Sequence, residues 1–261
     1  MINLSHLPTQ AQIQSSIERD GYFIGTSVIN PDDILKIKNF WIKFFRNKGN
    51  SYVVRGNLVL GEKNFTGFEN TDYYGCLHRH FDFLWNYPTH SLTRDLAVEL
   101  HKYKNLVLGK PSDEGLIYNS ANFGVYISTS YYPPEIGRLN IHRDACPPGE
   151  SIIHFMIPIT FKGIDYQEGG LVCIRDDGQE IDLDSQMKPG SILFFNARLR
   201  HAVRKLKSKD NIGRLATFAI PVHFVKSDSL MTSFTNNLSR YIRGNPLAQN
   251  LYRSIKPSSS I

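Results

Sequence analysis

Closely spaced glycine and proline turns divide the second half of the chain into short, strand-like runs. From about residue 120, apolar and polar residues alternate as in a strand with one apolar face, for example at Phe123, Val125 and Ile127. Strands are predicted near 123–128, 138–142, 151–161, 170–175, 179–183, 191–196, 200–204 and 213–224. So many short strands in about a hundred residues predict an antiparallel barrel or jelly roll.

The first third of the chain is predicted to be mostly helical. Asn30 suits the N-cap of a helix that begins at Pro31, and a second helix is predicted near 89–103. No linker rich in Pro, Ser or Gly interrupts the 261 residues, so a single domain is expected. Its predicted parts are a mostly helical region (1–119), the jelly-roll core (120–225) and a C-terminal helical segment with a tail (226–261).

Charge and hydrophobicity limit the partners that this chain is expected to have. Its formal net charge is +6, which is modest for a surface that follows phosphates. The basic residues between 198 and 209 lack the interleaved aromatics that stack on bases, so a nucleic-acid partner is not favoured. No apolar run approaches the ~18 residues of a membrane helix, and the first twenty residues do not read as a signal peptide. We expect a cytoplasmic protein with no membrane partner, and the sequence leaves its oligomeric state open.

The residue types that favour metal chemistry are concentrated in His142-Arg143-Asp144 and in His201. Residues i and i+2 of a strand project from the same side, so the histidine and the aspartate of this triplet can reach one ion. Two imidazoles and one carboxylate on one face of an octahedral Fe(II) leave three positions open. A His-x-acid triplet arises by chance about 0.8 times in such a composition, and His80-Phe81-Asp82 is a second one. If that second segment is helical, its two polar side chains diverge. His154, in mid-strand, is expected to be an ordinary core or sheet-edge histidine.

The order of motifs around the first triplet resembles the Fe(II)/2-oxoglutarate-dependent dioxygenase superfamily. In that family an HxD triplet is followed by GGxL, by PGDxxxF, by a distal His and by an Arg about ten to fifteen residues later. The matching segments here are His142-Arg143-Asp144, Gly169-Gly170-Leu171, Pro189-Gly190-Ser191, His201 and Arg214. Ser191 replaces the acid of the family pattern, which bears on the strand geometry more than on catalysis. The run from Asp20 to Ile24, ahead of a long helix, is similar to the opening of the phytanoyl-CoA hydroxylase-like branch.

This resemblance implies a fold, an activity and a set of site residues. The fold is mainly β with flanking α-helices around a double-stranded β-helix core, a cupin-like jelly roll. The activity is hydroxylation coupled to decarboxylation of 2-oxoglutarate to succinate, with Fe(II) as the metal and 2-oxoglutarate and O₂ as cosubstrates. The implied iron ligands are His142, Asp144 and His201. Arg214 is implied to bind the distal carboxylate of 2-oxoglutarate, with Thr160 as a second cosubstrate contact.

The parity of the strands suggests which residues face the substrate. Tyr126 and Ser128 share one face of the first core strand, and Arg138 and Asn140 have the same parity as His142. Their polar groups predict a small polar substrate, an amino acid or a natural-product-like molecule that bears a carboxylate. A Zn-binding jelly-roll hydrolase or binding protein, and an oxygenase acting on protein or nucleic acid, remain open as alternatives. Desaturation or cyclisation in place of hydroxylation also remains open.

Overall fold

The computed structural model describes residue 2 and residues 6–48, 78–86, 88–117, 123–144 and 152–223. The described helices are α1 (Gln10–Asp20), α2 (Pro31–Lys48) and α3 (Ser91–Val107). The described strands are β1 (Tyr22–Gly25), β2 (Arg79–Leu84), β3 (Phe123–Tyr132), β4 (Leu139–His142), β5 (Ile153–Pro158), β6 (Glu168–Ile174), β7 (Glu180–Asp182), β8 (Ile192–Asn196), β9 (Arg200–Lys207) and β10 (Arg214–His223). A 3₁₀ turn, Asp184–Gln186, follows β7.

The strands form two antiparallel sheets that pack face to face. The larger sheet has the order β1-β8-β5-β10-β3-β2, and the smaller has the order β4-β9-β6-β7. The strands from β3 to β10 contribute four to each sheet, which is the winding of a double-stranded β-helix. The predicted fold class is therefore confirmed, and β3 to β10 coincide with the predicted strands. The strands β1 and β2 extend the larger sheet at its edges and were not predicted.

The division of the chain into three parts stays a prediction. Within the described part of 1–119, three helices are joined by the strands β1 and β2. The predicted C-terminal helical segment, 226–261, lies outside the described residues. None of the helices that the structure describes is long and apolar enough to cross a bilayer.

The outer face of the larger sheet packs against helices. Trp41 of α2 is fully buried, and its ring centroid lies 5.7 Å from that of Phe81 and 6.4 Å from that of Phe83, both on β2. Its indole Nε1 donates a hydrogen bond to Thr93 Oγ1 of α3 at 3.0 Å. The helix α2 begins as predicted, because Asn30 Oδ1 accepts a hydrogen bond from a backbone N–H of its first turn at 2.9 Å.

The inner face of the larger sheet packs against the smaller sheet. The two sheets share a buried apolar cluster, which includes Met156 and Leu193 from the larger sheet and Leu171 and Val203 from the smaller sheet. This inner cluster is separate from the outer cluster under the helices. The space between the sheets is where the inward-facing polar residues of both sheets meet.

The outer cluster is expected to carry much of the stability, and Trp41→Ala tests this. The substitution removes a fully buried indole together with its hydrogen bond, so the free energy of unfolding should fall by about 3–5 kcal/mol. Leu35→Ala on the same helix is the matched control, because Leu35 is 50% exposed and its loss should change the free energy by less than about 0.5 kcal/mol. Urea denaturation measures both. Equal effects of the two substitutions would contradict this account of the outer cluster.

Candidate metal centre

The pairing of β4 with β9 sets two histidines side by side at one end of the smaller sheet. His142 lies directly opposite His201 in the register of these strands. Asp144 follows β4, and its backbone N–H donates to the carbonyl of Ala197 at 2.9 Å, which fixes the chain just beyond the strand. Two segments that lie far apart in sequence are thus brought together by backbone hydrogen bonds.

The side chains of these three residues converge. Asp144 Oδ1 lies 3.5 Å from His142 Nε2 and 3.7 Å from His201 Nε2, and the three ligand atoms all lie within 4.8 Å of one another. Neighbouring ligands of an ion with bonds of ~2.1 Å are separated by about 3 Å, so a small closure of this group suffices to hold a metal. The side chains of His142 and Asp144 are about one-third exposed, so the group is open on one side.

Each histidine is oriented by the backbone two residues before it. His142 Nδ1 donates to the carbonyl of Asn140, and His201 Nδ1 donates to the carbonyl of Leu199, each at 2.8 Å. Because a carbonyl only accepts, each Nδ1 carries a hydrogen, and in the neutral ring the lone pair lies on Nε2, the nitrogen that faces Asp144. This arrangement fixes the tautomer and ring orientation that a metal requires.

The local electrostatics favour an ionised carboxylate between imidazoles. Burial alone would raise the pKa of Asp144, but His142, His201 and His154 together lower it. Burial lowers the pKa of His201, so this ring is held neutral. Burial opposes the charged form of His142 too, but its hydrogen bonds to Asp144 and to the carbonyl of Asn140 raise its pKa. Because a metal ion competes with a proton for Nε2 of His142, metal binding is expected to weaken as the pH falls.

His154 is a neighbour of this group that sequence reasoning assigned to the core. Its Nε2 lies 3.7 Å from Asp144 Oδ2, the carboxylate oxygen that faces away from the other two histidines. Burial lowers the pKa of His154 to about 4, so its ring is neutral and can donate one N–H. His154 lies in β5 opposite Phe195. Its proximity to Asp144 could not be predicted, because apolar strands often contain a single histidine.

Arg214 lies buried between the sheets and forms a two-point ion pair. Its Nε donates to Asp184 Oδ2 at 2.6 Å, and its Nη2 donates to Asp184 Oδ1 at 3.0 Å. Nη2 also approaches the sulfur of Met156 at 3.3 Å, and the guanidinium lies 5.7 Å from the ring centroid of Tyr132. Burial opposes the charge of Arg214, but Asp184 raises its pKa, so the guanidinium stays protonated. Sequence reasoning missed Asp184, because a single acid after a strand carries no motif.

Asp184 is the centre of a buried hydrogen-bond network. Besides Arg214 it accepts from the backbone N–H of Leu171 at 2.8 Å and from the hydroxyl of Tyr166. Gly170 has φ +97°, and a Cβ there would lie 2.3 Å from Asp184 Oδ2. The second glycine of the GGxL motif is therefore required by the close approach of this carboxylate.

The other predicted site residues are distributed over both sheets. Ser128 and Tyr126 are buried and share one face of β3, as expected from parity. The register of β4 shifts between Leu139 and His142, so the parity assumed for Arg138 and Asn140 does not hold. Leu139 packs against the inner cluster instead, and the side chain of Asn140 is exposed. That these four residues bind substrate stays a prediction.

Thr160, the predicted second cosubstrate contact, lies next to Arg214 in the fold. Its Oγ1 accepts a hydrogen bond from the backbone N–H of Leu215 at 2.6 Å, and the residue is buried. Its hydroxyl hydrogen is still available to an acceptor. Thr217 has the opposite parity to Arg214 on β10, and its hydroxyl is hydrogen-bonded to Thr129 Oγ1 at 2.7 Å on the other side of the sheet.

Comparisons with known proteins support the fold. No family model and no curated protein matches the sequence. Among solved structures, the chain is similar to a prolyl-4-hydroxylase of Pseudomonas putida, with a TM-score of 0.52 and 12% identity over 81% of this chain and 97% of that chain. It is also similar to SnoK, a non-heme α-ketoglutarate-dependent carbocyclase from nogalamycin biosynthesis, with a TM-score of 0.54 and 12% identity over 88% and 91%. A prolyl hydroxylase from Trichoplax adhaerens, in complex with a hypoxia inducible factor peptide fragment, has a TM-score of 0.52 and 12% identity over 82% and 89%. At these identities the likeness establishes a shared fold.

His154 is expected to support metal binding by orienting Asp144. His154→Leu keeps a side chain of similar size but removes the donor, so the affinity for Fe(II), or for Co(II) as a stable substitute, should fall by about 10- to 100-fold. His154→Gln retains an N–H donor and should recover part of the loss. Anaerobic isothermal titration of each variant measures this. Wild-type affinity in His154→Leu would limit His154 to packing against Phe195, whose ring centroid lies 5.6 Å away.

Proposed function

We propose that this chain is an Fe(II)- and 2-oxoglutarate-dependent oxygenase that hydroxylates a small polar metabolite. The observation that carries the proposal is the convergence of His142 Nε2, His201 Nε2 and Asp144 Oδ1 within 4.8 Å, with both Nδ1 atoms already bonded to carbonyls. Two nitrogens and one carboxylate on one side of an ion are the donor set that suits Fe(II) with open positions. Bound Fe(II), with 2-oxoglutarate and O₂, supplies the oxidising power for C–H hydroxylation, and 2-oxoglutarate becomes succinate and CO₂.

Arg214 can hold the distal carboxylate of 2-oxoglutarate while it remains paired with Asp184. Asp184 takes the Nε–Nη2 edge of the guanidinium, and no described residue accepts a hydrogen bond from Nη1. The second hydrogen of Nη2 is directed at the sulfur of Met156, which is a weak acceptor. A carboxylate that replaces this sulfur gains a two-point contact with Nη1 and Nη2. The hydroxyl of Thr160 can donate to the same carboxylate.

The ion pairs formed by the basic residues between 198 and 209 favour a small polar substrate over a polyanion. Arg204 forms an ion pair with Glu180, and Lys207 forms one with Glu168 at 2.7 Å. Two of the six basic residues between 198 and 209 are thus engaged in ion pairs on the smaller sheet. The similar solved structures include enzymes named for prolyl hydroxylation and one named for carbocyclisation, so cyclisation or a peptide substrate are outcomes that a substrate screen must separate. Membership of the phytanoyl-CoA hydroxylase-like branch and a cytoplasmic location are parts of this proposal.

An anaerobic titration tests the proposal directly. A weak visible charge-transfer band is expected only when the protein, Fe(II) and 2-oxoglutarate are all present, because cosubstrate and metal must then share one site. Asp144→Ala removes the central ligand and should abolish the band. Binding of Zn²⁺ with hydrolysis of a substrate in the absence of O₂, and no band with Fe(II), would favour the alternative of a zinc jelly roll.

Removing the guanidinium of Arg214 is expected to weaken 2-oxoglutarate binding. The chain should still fold if Asp184, the partner of Arg214, is changed at the same time. The double variant Arg214→Met, Asp184→Asn removes both charges and keeps an acceptor for the N–H of Leu171. The affinity for 2-oxoglutarate, measured by the band at fixed Fe(II), should fall at least about tenfold.

The matched control is the double variant Thr129→Val, Thr217→Val. It removes a buried hydrogen bond between Thr129 of β3 and Thr217 of β10, the strand that carries Arg214, but on the opposite face of the sheet. Its affinity for 2-oxoglutarate should be that of the wild type. An unchanged affinity in the Arg214 double variant would exclude Arg214 as the carboxylate ligand.

A further inference from the structure

The edge strand β2 carries a second His-x-Asp triplet, and this triplet faces the space between the sheets. Phe81 and Phe83 point outward against Trp41, so the pleat of the strand directs His80 and Asp82 to the inner face. A helical segment would have separated these two side chains. The strand instead sets them on one side, with His80 Nδ1 and Asp82 Oδ1 3.8 Å apart.

Two serines of β3 lie directly across from this pair. His80 is opposite Ser130, and Asp82 is opposite Ser128, in the antiparallel register of β2 and β3. Side chains opposite each other in such a ladder share a face and lie within about 5.5 Å of one another at Cβ. We define these four residues, His80, Asp82, Ser128 and Ser130, as the polar wall.

Three residues of the polar wall are buried, and the structure describes no hydrogen-bond partner for one of the hydroxyls. Asp82 is 2% exposed, Ser130 is 5% exposed and Ser128 is 1% exposed. Among the described residues none forms a hydrogen bond with Ser128 Oγ. A buried hydroxyl without a hydrogen-bond partner is unfavourable, so Ser128 Oγ indicates a position where a ligand can supply the missing hydrogen bond.

The polar wall lies on the side of the sheet that faces the metal centre and Arg214. His78 precedes β2, and its ring stacks on Tyr132 with a centroid distance of 5.3 Å. Tyr132 lies beneath the guanidinium of Arg214 and is its partner in the register of β3 and β10. Through His78 and Tyr132, β2 is therefore in contact with the surroundings of Arg214.

We propose that the polar wall is a substrate subsite that binds a hydrogen-bond-donating group, a hydroxyl or an ammonium, of a small organic molecule. This proposal rests on the proposed function, because it supplies the group that orients a substrate beside the metal. A carboxylate accepts hydrogen bonds and repels other carboxylates, so Asp82 selects donors. Ser128 Oγ, unpartnered, can accept one further bond from the same group. This end of the substrate therefore differs from the carboxylate-bearing end that the sequence suggested.

Ligand-induced stabilisation of the full-length chain tests the subsite without requiring turnover. The probes are three sets of small molecules matched in size: amino alcohols, polyols, and carboxylic acids that lack amino and hydroxyl groups. Members of a donor-bearing set are expected to raise the unfolding midpoint and to stimulate succinate release with Fe(II) and 2-oxoglutarate. The acids are expected to do neither. The first two sets distinguish an ammonium from a hydroxyl as the bound group.

Two wall variants separate ligand binding from a structural role. Asp82→Asn should weaken binding of the active probe by at least about tenfold, more for an ammonium than for a hydroxyl, because a charge-assisted bond is lost. Ser128→Ala should weaken it by about three- to tenfold while leaving the unfolding midpoint without probe unchanged or higher, because no described residue is hydrogen-bonded to the removed hydroxyl. The double variant Thr129→Val, Thr217→Val on the outer face is the control and should bind probes normally.

The outcomes distinguish this inference from the proposed function. Absence of the charge-transfer band, with donor-bearing probes still stabilising the chain through Asp82 and Ser128, would contradict the oxygenase and retain the subsite. A normal band, with no stabilisation by either donor-bearing set or with wild-type probe affinity in both wall variants, would overturn the subsite alone. Stabilisation by the carboxylic acids equal to that by the donor-bearing sets would also overturn it.

Discussion

The buried ion pair between Arg214 and Asp184 is the interaction on which the arrangement of the two sheets depends. Arg214 begins β10 of the larger sheet, whereas Asp184 lies in the turn that follows β7 of the smaller sheet. Both residues are at most 3% exposed, so both ions have lost their hydration. Breaking such a pair by removing one partner costs about 3–5 kcal/mol, because a charge is left buried and unpaired. The pair therefore fixes the distance and orientation of the sheets more sharply than apolar contacts do.

The surroundings of the pair show how its desolvation is offset. Asp184 accepts hydrogen bonds from a guanidinium, a tyrosine hydroxyl and the N–H of Leu171, which together use most of its acceptor capacity. The network also has a consequence for the proposed cosubstrate site. Because Asp184 already neutralises Arg214, an incoming carboxylate meets little net charge. Its affinity must come from directed hydrogen bonds at Nη1 and Nη2 and from the metal, which makes the site sensitive to geometry.

Most of the core and the metal group could be predicted from the sequence, because both rest on local patterns. Period-2 alternation and turn residues located β3 to β10. The i, i+2 spacing placed His142 and Asp144 together, and the order of motifs in the resemblance implied that His201 joins them. Properties that depend on the partner strand could not be predicted. The register shift between Leu139 and His142 means that Arg138 and Asn140 do not share the face of His142, although strict alternation had predicted that they would. A shift of this kind has no local sequence pattern by which it could be predicted. The strand β2 was missed because Phe81 and Phe83 suit either an aromatic helix or a strand until Trp41 packs on them.

The two faces of the larger sheet have different roles: the outer face contributes stability, and the inner face carries the polar groups of the candidate site. Alternate residues of β3 and β10 face opposite sides, so Thr129 and Thr217 satisfy each other on the outer side, whereas Ser128 and Arg214 face the inner space. The outer side, packed under α2 and α3, buries large aromatic rings and needs no polar ligand. Polar groups on the inner side cost stability, and this cost is tolerable only because the outer cluster stabilises the same strands independently. A substitution on the inner face can therefore change what binds between the sheets without changing the strand pairing that holds the proposed metal ligands together.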